Sequence, residues 1–487
     1  MSDQPAIVER QRPATPMAQQ IIERGTLREQ AMRISFAGKV VGTVLGIGFL
    51  IINASIAFIV IDGRLEGKWY DFRDLGHAIE RLRVELGTVE GTIGGQELAT
   101  ILTYWVPALI GGIGILSFIG GFLLIGSWIE RRLLARFQIR TGPNRVGPYG
   151  LLQPLADALK LMQKEVLIPA GADRMLFYLP PVLIFIPAML AWGPIPWAEN
   201  MAYLDLNVGL LYVVSITSLS VLAVWLAGWS SNNHYALLGS MRTVAMMISY
   251  EIPISLALLS VVLVTGSLRL SAIVAWQADH YLWLALMLPF ALFTFFFSST
   301  AEINRTPNDI AEAESEIVAG FHTEYSGMKA GLFLAVELGN ALLTGALVAT
   351  FFLGGYTLFG LEEWIPGYLI LGAKATFGYF IFIWLRATLP RFRIDQLMTF
   401  AWKYLIPLSI ANVLLVAIEA SIAARWDASG ILVYGLFVIV NIALTAYAVR
   451  AWARAIGYAM DVEQPAQPIF AKAIGGLKAA NRLRGEA

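Results

Sequence analysis

The chain contains no cysteine and only four histidines in 487 residues. Without Cys there are no disulfides and no thiolate ligands, which excludes iron–sulfur clusters of the ordinary Cys-ligated kind. His77, His234, His280 and His322 all lie outside the apolar runs, which argues against a buried bis-His haem. Charge is scarce as well. Charged residues make up 14% of the chain and the formal net charge is zero, so nothing points to a nucleic-acid partner. If the protein takes part in redox chemistry, its electrons come from elsewhere.

What is abundant is apolar surface, with 57% hydrophobic residues, well above the share in ordinary soluble domains. A run of about 20 apolar residues spans a bilayer core. Such runs occur at 40–61, 104–129, 176–198, 208–229, 244–268, 281–300, 330–354, 366–388, 404–424 and 430–450. The expectation is an all-α polytopic membrane protein of about ten transmembrane helices. Residues 1–35 are polar, and the first apolar run starts too late for a cleavable signal peptide. With the N-terminus inside, 27 of the 35 Lys and Arg fall on inside segments, seven fall outside, and Lys374 lies within a span. By the positive-inside rule both termini face the cytoplasm or its equivalent. The long inside connections are 130–175, 230–243, 301–329 and 386–403.

The connection AEINRTPNDIAEAESEIVAGFHTEYSGMK, residues 301–329, dominates the rest. It sets Glu302, Asp309, Glu312, Glu314, Glu316 and Glu324 against two cations, Arg305 and Lys329. Asp309, Glu312 and Glu316 share a face if the segment is helical, and like charges so placed call for cations, shared protons or water. A merely solvated loop is the plainer alternative. In 386–403, Arg386, Arg391 and Arg393 satisfy the orientation rule, or pair with the acids of 301–329. In 130–175, Gly142-Pro143-Asn144 and Gly147-Pro148 form turns. The stretch Leu151–Met162 is then amphipathic, either an interfacial helix or the wall of a cavity with Asp157 and Arg140 facing inward. Ser230–Asn233 supplies helix caps.

Ionisable residues within spans are costly and usually functional. Glu251 and Glu337 lie seven or eight residues from the inside face, roughly 10–12 Å deep at about 1.5 Å per residue. Lys374 falls near mid-membrane and Glu419 nearer the outside. Together with the acidic connection they suggest a ladder of titratable groups suited to proton relay. The plainer alternative is isolated buried pairs, such as Glu337 with Lys374.

ERRLLARFQIRTGPNRVGPYGLLQPLADALKL, GWSSNNHYALLGSMR, SYE, the acidic connection and LRATLPRFRIDQLMTFAWK follow one another between about 104 and 424. In that order they strongly resemble the H subunit of proton-pumping NADH–quinone oxidoreductase, respiratory complex I. The resemblance implies an eight-helix core at 104–424, an N-terminal extension at 1–103 carrying one extra helix and an outside loop, and a further helix and tail at 425–487. It implies a component of the bacterial plasma membrane beside the peripheral redox arm, with quinone as substrate. Flavin mononucleotide and iron–sulfur clusters would reside in partner subunits. It puts Glu130, Arg131, Arg140, Asp157 and Arg305 at the quinone chamber. It puts Glu251, Glu302, Asp309, Glu312, Glu314, Glu316 and Glu337 on the proton-coupling path. The sequence departs from the family at Asn308, where an aromatic is common, and at Phe321, where Tyr is common. Other readings are the equivalent subunit of a membrane-bound hydrogenase or other-donor complex, a free-standing ion transporter, or a passive anchor. No internal repeat supports the transporter, and the anchor leaves the charges within the spans unexplained.

Overall fold

The structure, a computed structural model, describes residues 106–199, 202–310, 318–360 and 364–425, together with 435, 437–443, 445, 446 and 450. The expected span at 40–61 with its outside loop, most of the terminal extension, and Glu312, Glu314 and Glu316 lie outside the described residues. Every regular element among the described residues is helical. In chain order these are α1 (Val106–Phe137), α2 (Gln153–Gln163), α3 (Arg174–Leu190), α4 (Gly209–Thr217), α5 (Leu219–Ser230), α6 (His234–Thr265) and α7 (Leu270–Asp279). They continue with α8 (Leu284–Met287), α9 (Pro289–Glu302), α10 (Met328–Phe352), α11 (Gly367–Thr388), α12 (Ile394–Phe400) and α13 (Ile406–Arg425). By contact the chain divides into two compact units, residues 1–121 with 155–165, and residues 122–154 with 166–487.

Among the described residues, six helical stretches are long and apolar enough to cross a membrane: Gly112–Phe137, Gly209–Ser230, His234–Thr265, Met328–Phe352, Gly367–Thr388 and Ile394–Ala423. The other two stretches expected to span between 104 and 424 hold shorter helices, the apolar α3 and the 14-residue α9. Lipid offers no partner for backbone amides, so each span must satisfy its own hydrogen bonds as a helix. Helix ends depart from hydropathy where local chemistry intervenes. The span expected at 176–198 ends at Leu190, because Gly193, Pro194 and Pro196 carry the chain through a turn. The span expected at 281–300 breaks at Leu288, which leaves helical geometry (φ −122°, ψ 56°) before Pro289. The span expected at 404–424 begins ten residues early, because α12 runs through a π turn at Ala401–Leu405 into α13. The outside connection before α8 contains a helix, α7, that its short polar flanks do not announce.

Caps fall where the sequence offers them. Asp173 accepts from the amides of Met175 and Leu176 at the start of α3, and Asn233 accepts from Tyr235 at the start of α6. Gly266 ends α6 in the left-handed region at φ 69°.

The second unit is organised around α10, which is buried along most of its length. Small residues bring α11 against it: a Cβ on Gly345 would stand 2.4 Å from the Ala375 carbonyl oxygen, and one on Gly378 would stand 2.8 Å from the Gly345 Cα. Helices in lipid lack a hydrophobic drive toward one another, so close backbone approach and interhelical hydrogen bonds hold them. Tyr250 Oη donates to the Leu397 carbonyl at 3.0 Å. Trp402 Nε1 donates to Ser249 Oγ at 3.1 Å, and Asn412 Nδ2 to Ser260 Oγ at 3.1 Å. Each such bond contributes roughly 0.6–2 kcal/mol, so registry rests on several of them together. The outward faces keep large apolar residues exposed, among them Leu211, Ile248, Leu334, Phe377 and Leu414, as a lipid-facing surface requires.

Lys374 differs from expectation. Its ammonium turns toward the C-terminal end of α10 and donates to the carbonyls of Leu353 (2.6 Å), Gly355 (2.9 Å) and Thr357 (2.6 Å). A helix C-terminus presents unpaired carbonyls and partial negative charge, and that outweighs a position in mid-membrane. Glu419 is likewise no rung of an inner ladder: it is buried and accepts from Asn441 Nδ2 at 2.9 Å.

Candidate functional site

The start of the acidic connection, through Arg305, meets the C-terminal parts of α1 and α11 and the N-terminal half of α10. Arg305, only 4% exposed, donates through Nη1 to Glu130 Oε1 at 2.7 Å. Its Nε lies 3.1 Å from Glu337 Oε1. That N–H is not aimed at the carboxylate, so the second contact is an ion pair without a hydrogen bond. Arg386 Nη1 also donates to Glu130 Oε1, at 2.5 Å, and Tyr379 Oη donates to Oε2 at 2.8 Å. Two carboxylates and two guanidinium groups thus make a formally neutral cluster in a buried place. Charges removed from water need such pairing. Glu337 therefore meets Arg305, while Lys374 holds the carbonyls at the C-terminal end of α10.

The main chain fixes Arg305. Its amide bonds to the Thr300 carbonyl at 3.1 Å, and the Asn308 amide bonds back to the Arg305 carbonyl at 2.9 Å. Asn308 is fully buried; its Nδ2 donates to Thr300 Oγ1 at 2.7 Å while its Oδ1 has no hydrogen bond. An aromatic at this position would lose the tie to Thr300. Asp309 accepts from Arg391 Nη2 at 2.8 Å, and the Phe392 amide donates to the Pro307 carbonyl at 3.0 Å. The two inside connections are therefore joined by side chain and backbone, as their opposite charge suggested.

A second acidic pair sits across α4, α5, α6 and α9. The Ser218 hydroxyl donates to Glu251 and is also 2.8 Å from the Val214 carbonyl. Glu302, the last residue of α9, lies near Thr217 and Glu251, and Thr217 Oγ1 donates to the Val214 carbonyl at 3.1 Å. Ser218 marks the junction of α4 and α5, where the Val221 amide bonds to its carbonyl only three residues back.

The other expected chamber residues are placed differently. Arg131 and Arg140 sit toward the surface: Arg140 is exposed, Arg131 is exposed, and Arg140 Nε donates to Gln138 Oε1 at 2.7 Å. Asp157 lies on α2, inside the segment 155–165 of the first unit. The turn before α2 requires glycine: Gly150 stands at φ 77°, and a Cβ there would fall 2.3 Å from the Pro143 carbonyl oxygen. Arg132 lies over the rings of Trp128 and Tyr149, 5.2 and 5.4 Å from their centroids.

The last part of the connection packs as an aromatic layer. Phe321 is buried with its ring 5.5 Å from Phe333, and Tyr325 stacks on Phe177 at 4.3 Å. A Cβ on Gly239 would stand 2.6 Å from the Gly320 Cα, so α6 admits the connection only through two glycines. Burial pushes the His322 imidazole down to about 4. The unfolded chain takes up that proton near 6.5, so it binds more protons than the folded chain between those values. Stability therefore falls as pH drops from about 6.5 toward 4. His322→Gln is expected to flatten the dependence of the thermal midpoint on pH in that window; an unchanged slope would remove His322 as the cause.

Sequence reasoning missed Tyr379, Thr217 and Ser218. Tyr379 had a signal, since it precedes Arg386 by seven residues, two turns along one helix face. For Ser218 the signal was a Thr-Ser pair in mid-span. A cavity of about 440 Å³ opens elsewhere, lined by Gln277, Asp279, Tyr281, Trp283, Thr357 and Phe359, and none of the candidate residues reaches it.

A family profile described as NADH dehydrogenase matches residues 110–417, a range that contains every residue of both acidic clusters. The chain belongs to the family of NADH–quinone oxidoreductase H subunits. It is 48% identical over 320 residues to the H subunit from Dehalococcoides mccartyi strain CBDB1, covering 66% of this chain and 89% of the relative. It is 50% identical over 294 residues to an H subunit from Geobacter metallireducens, covering 58% and 88%. With the H subunit from Rickettsia canadensis it shares 47% over 294 residues, covering 60% and 87%. As a member of this family, the chain is a multi-pass membrane component of a multisubunit oxidoreductase. Glu419 and Asn441 both lie beyond the matched region.

Proposed function

We propose that this chain forms part of the quinone chamber of a proton-translocating NADH–quinone oxidoreductase and couples quinone reduction to proton movement. The observation that carries the reading is Arg305, one guanidinium bridging Glu130 and Glu337. A charge change felt at Glu130 reaches Glu337 in a single side chain. Quinone reduction consumes two electrons and two protons, and added negative charge near Glu130 raises the proton affinity of neighbouring carboxylates. Arg305 then shifts its weight between two acids, and the Glu251–Glu302 pair, braced by Ser218 and Thr217, continues the relay along the inner side.

In this reading Glu130, Arg131, Arg140, Asp157 and Arg305 serve the chamber and its entrance. Glu251, Glu302, Asp309, Glu312, Glu314, Glu316 and Glu337 serve the proton path. Flavin and iron–sulfur clusters belong to neighbouring subunits; the absence of Cys supports that division. The chain sits in a bacterial plasma membrane with both ends on the cytoplasmic side, supported by the distribution of its cations. Residues 1–103 and 425–487 are peripheral additions to the eight-helix core, supported by a family match confined to 110–417.

The test is purification of the tagged chain from native membranes in mild detergent, with NADH–quinone reduction assayed with and without a quinone-site inhibitor. Inhibitor-sensitive activity with flavin and cluster signals is expected, and it should survive removal of residues 1–95. Clusters without NADH activity would move the chain to a hydrogenase-type or other-donor complex. A chain isolated alone, from a preparation that preserves other assemblies, would overturn the reading.

A further inference from the structure

Glu130 divides its two oxygens between different kinds of partner. Oε1 takes both guanidinium groups, from Arg305 and Arg386. Oε2 takes the hydroxyl of Tyr379, a side chain 1% exposed with its ring edge-on to Phe122 at 5.2 Å. The same hydroxyl stands 3.3 Å from the Gly126 carbonyl oxygen, one turn earlier on the same face of α1. A phenol has one proton to donate, so it serves the carboxylate or the carbonyl, not both fully. The charged groups facing this point are Glu130 from α1, Arg305 from the acidic connection, Glu337 from α10 and Arg386 from α11.

We propose that Tyr379 is a positioning residue that adds to the two guanidinium groups in favouring ionised Glu130, its hydroxyl donating to Oε2 while the carboxylate is charged and turning to the Gly126 carbonyl once Glu130 takes a proton. The proposal rests on the reading of Glu130 as a chamber residue. Its physical basis is that a hydrogen bond to the ionised form favours that form, and one to a charged group is stronger than one to a neutral group. The Gly126 oxygen gives the hydroxyl somewhere to go, so protonation of Glu130 strands no buried donor. Tyr379 thereby adjusts, on top of Arg305 and Arg386, the pH at which Glu130 loosens its hold on Arg305.

Tyr379→Phe keeps the ring and its contact with Phe122 and removes only the oxygen. In the purified complex, with assembly checked by flavin and cluster content, the acid limb of inhibitor-sensitive quinone reduction is expected to move up by about one pH unit. The KM for quinone should stay within about twofold, and the shift should vanish in a Glu130→Gln background because the two act as one unit. Infrared titration gives a readout independent of turnover. The protonated-carboxyl band lost in Glu130→Gln should titrate about one unit higher in Tyr379→Phe than in the parent. An infrared titration unmoved by Tyr379→Phe, or a shift of the acid limb that persists in Glu130→Gln, would overturn the proposal. Absent quinone reduction with a shifted infrared band would instead leave Tyr379 standing and fail the chamber reading.

Discussion

Arg305→Met is expected to lower inhibitor-sensitive quinone reduction by on the order of a hundredfold, with the complex largely assembled. Arg305 is the single cation shared by Glu130 and Glu337 among the described residues. Removing it takes the bridging cation from between Glu130 and Glu337, and breaking a buried ion pair costs about 3–5 kcal/mol when the partner stays charged. The chain can avoid much of that cost by protonating one carboxyl, which is why assembly survives while the relay is locked. Arg305→Lys should fall between the two, because a compact ammonium cannot reach both acids with the fork of a guanidinium. Adding Glu337→Gln to Arg305→Met removes one of the two acids that Arg305 bridged and should recover thermal stability without recovering turnover. The measurement is turnover, proton pumping and thermal midpoint on one preparation of each variant. Parental turnover in Arg305→Met would take the bridge out of the mechanism.

Gly345→Val is expected to abolish assembly. A Cβ there would stand 2.4 Å from the Ala375 carbonyl oxygen, a backbone atom that cannot swing aside. Helix α11 would have to withdraw, taking Tyr379 and Arg386 from Glu130. Overpacking of a tight contact typically costs about 1–3 kcal/mol, and more where backbone must move. Gly339→Ala is the control on the same helix, since a Cβ at Gly339 meets nothing within 4 Å. It should leave assembly intact and add slightly to helix stability. Native gel electrophoresis of membranes from both variants reads the result, and equal yields would mean that α10 and α11 do not need their glycine crossing.

Much of this was legible in the residues themselves. Spans are local: about 20 apolar residues without backbone partners in lipid must close into a helix, so six of the eight spans expected between 104 and 424 were recognisable from hydropathy. Cap residues such as Asn233 and the amphipathic stretch that became α2 follow from spacing alone. The pairing of the two inside connections, seen in Asp309 with Arg391, followed from complementary charge. Helix ends moved where a proline, a glycine turn or a π turn overrode hydropathy, as at Leu190, Leu288 and Ala401.

The partner of each buried charge was another matter. Glu130 and Arg305 are 175 residues apart, and Glu130 and Tyr379 are 249 apart. Hydropathy places each on its helix and says nothing about which face meets which. Lys374 could have met Glu337 by depth, yet it closes the C-terminal end of α10, and Arg305 takes Glu337 instead. Those choices depend on how closely α10 and α11 approach at Gly345 and Gly378, and on where the acidic connection re-enters beside α1. That charges would be buried beside lipid and would need partners was written in the residues, because desolvation is a property of each side chain. Which partners they found was a matter of packing, because pairing falls off over a few ångströms and only the folded chain brings distant residues that close.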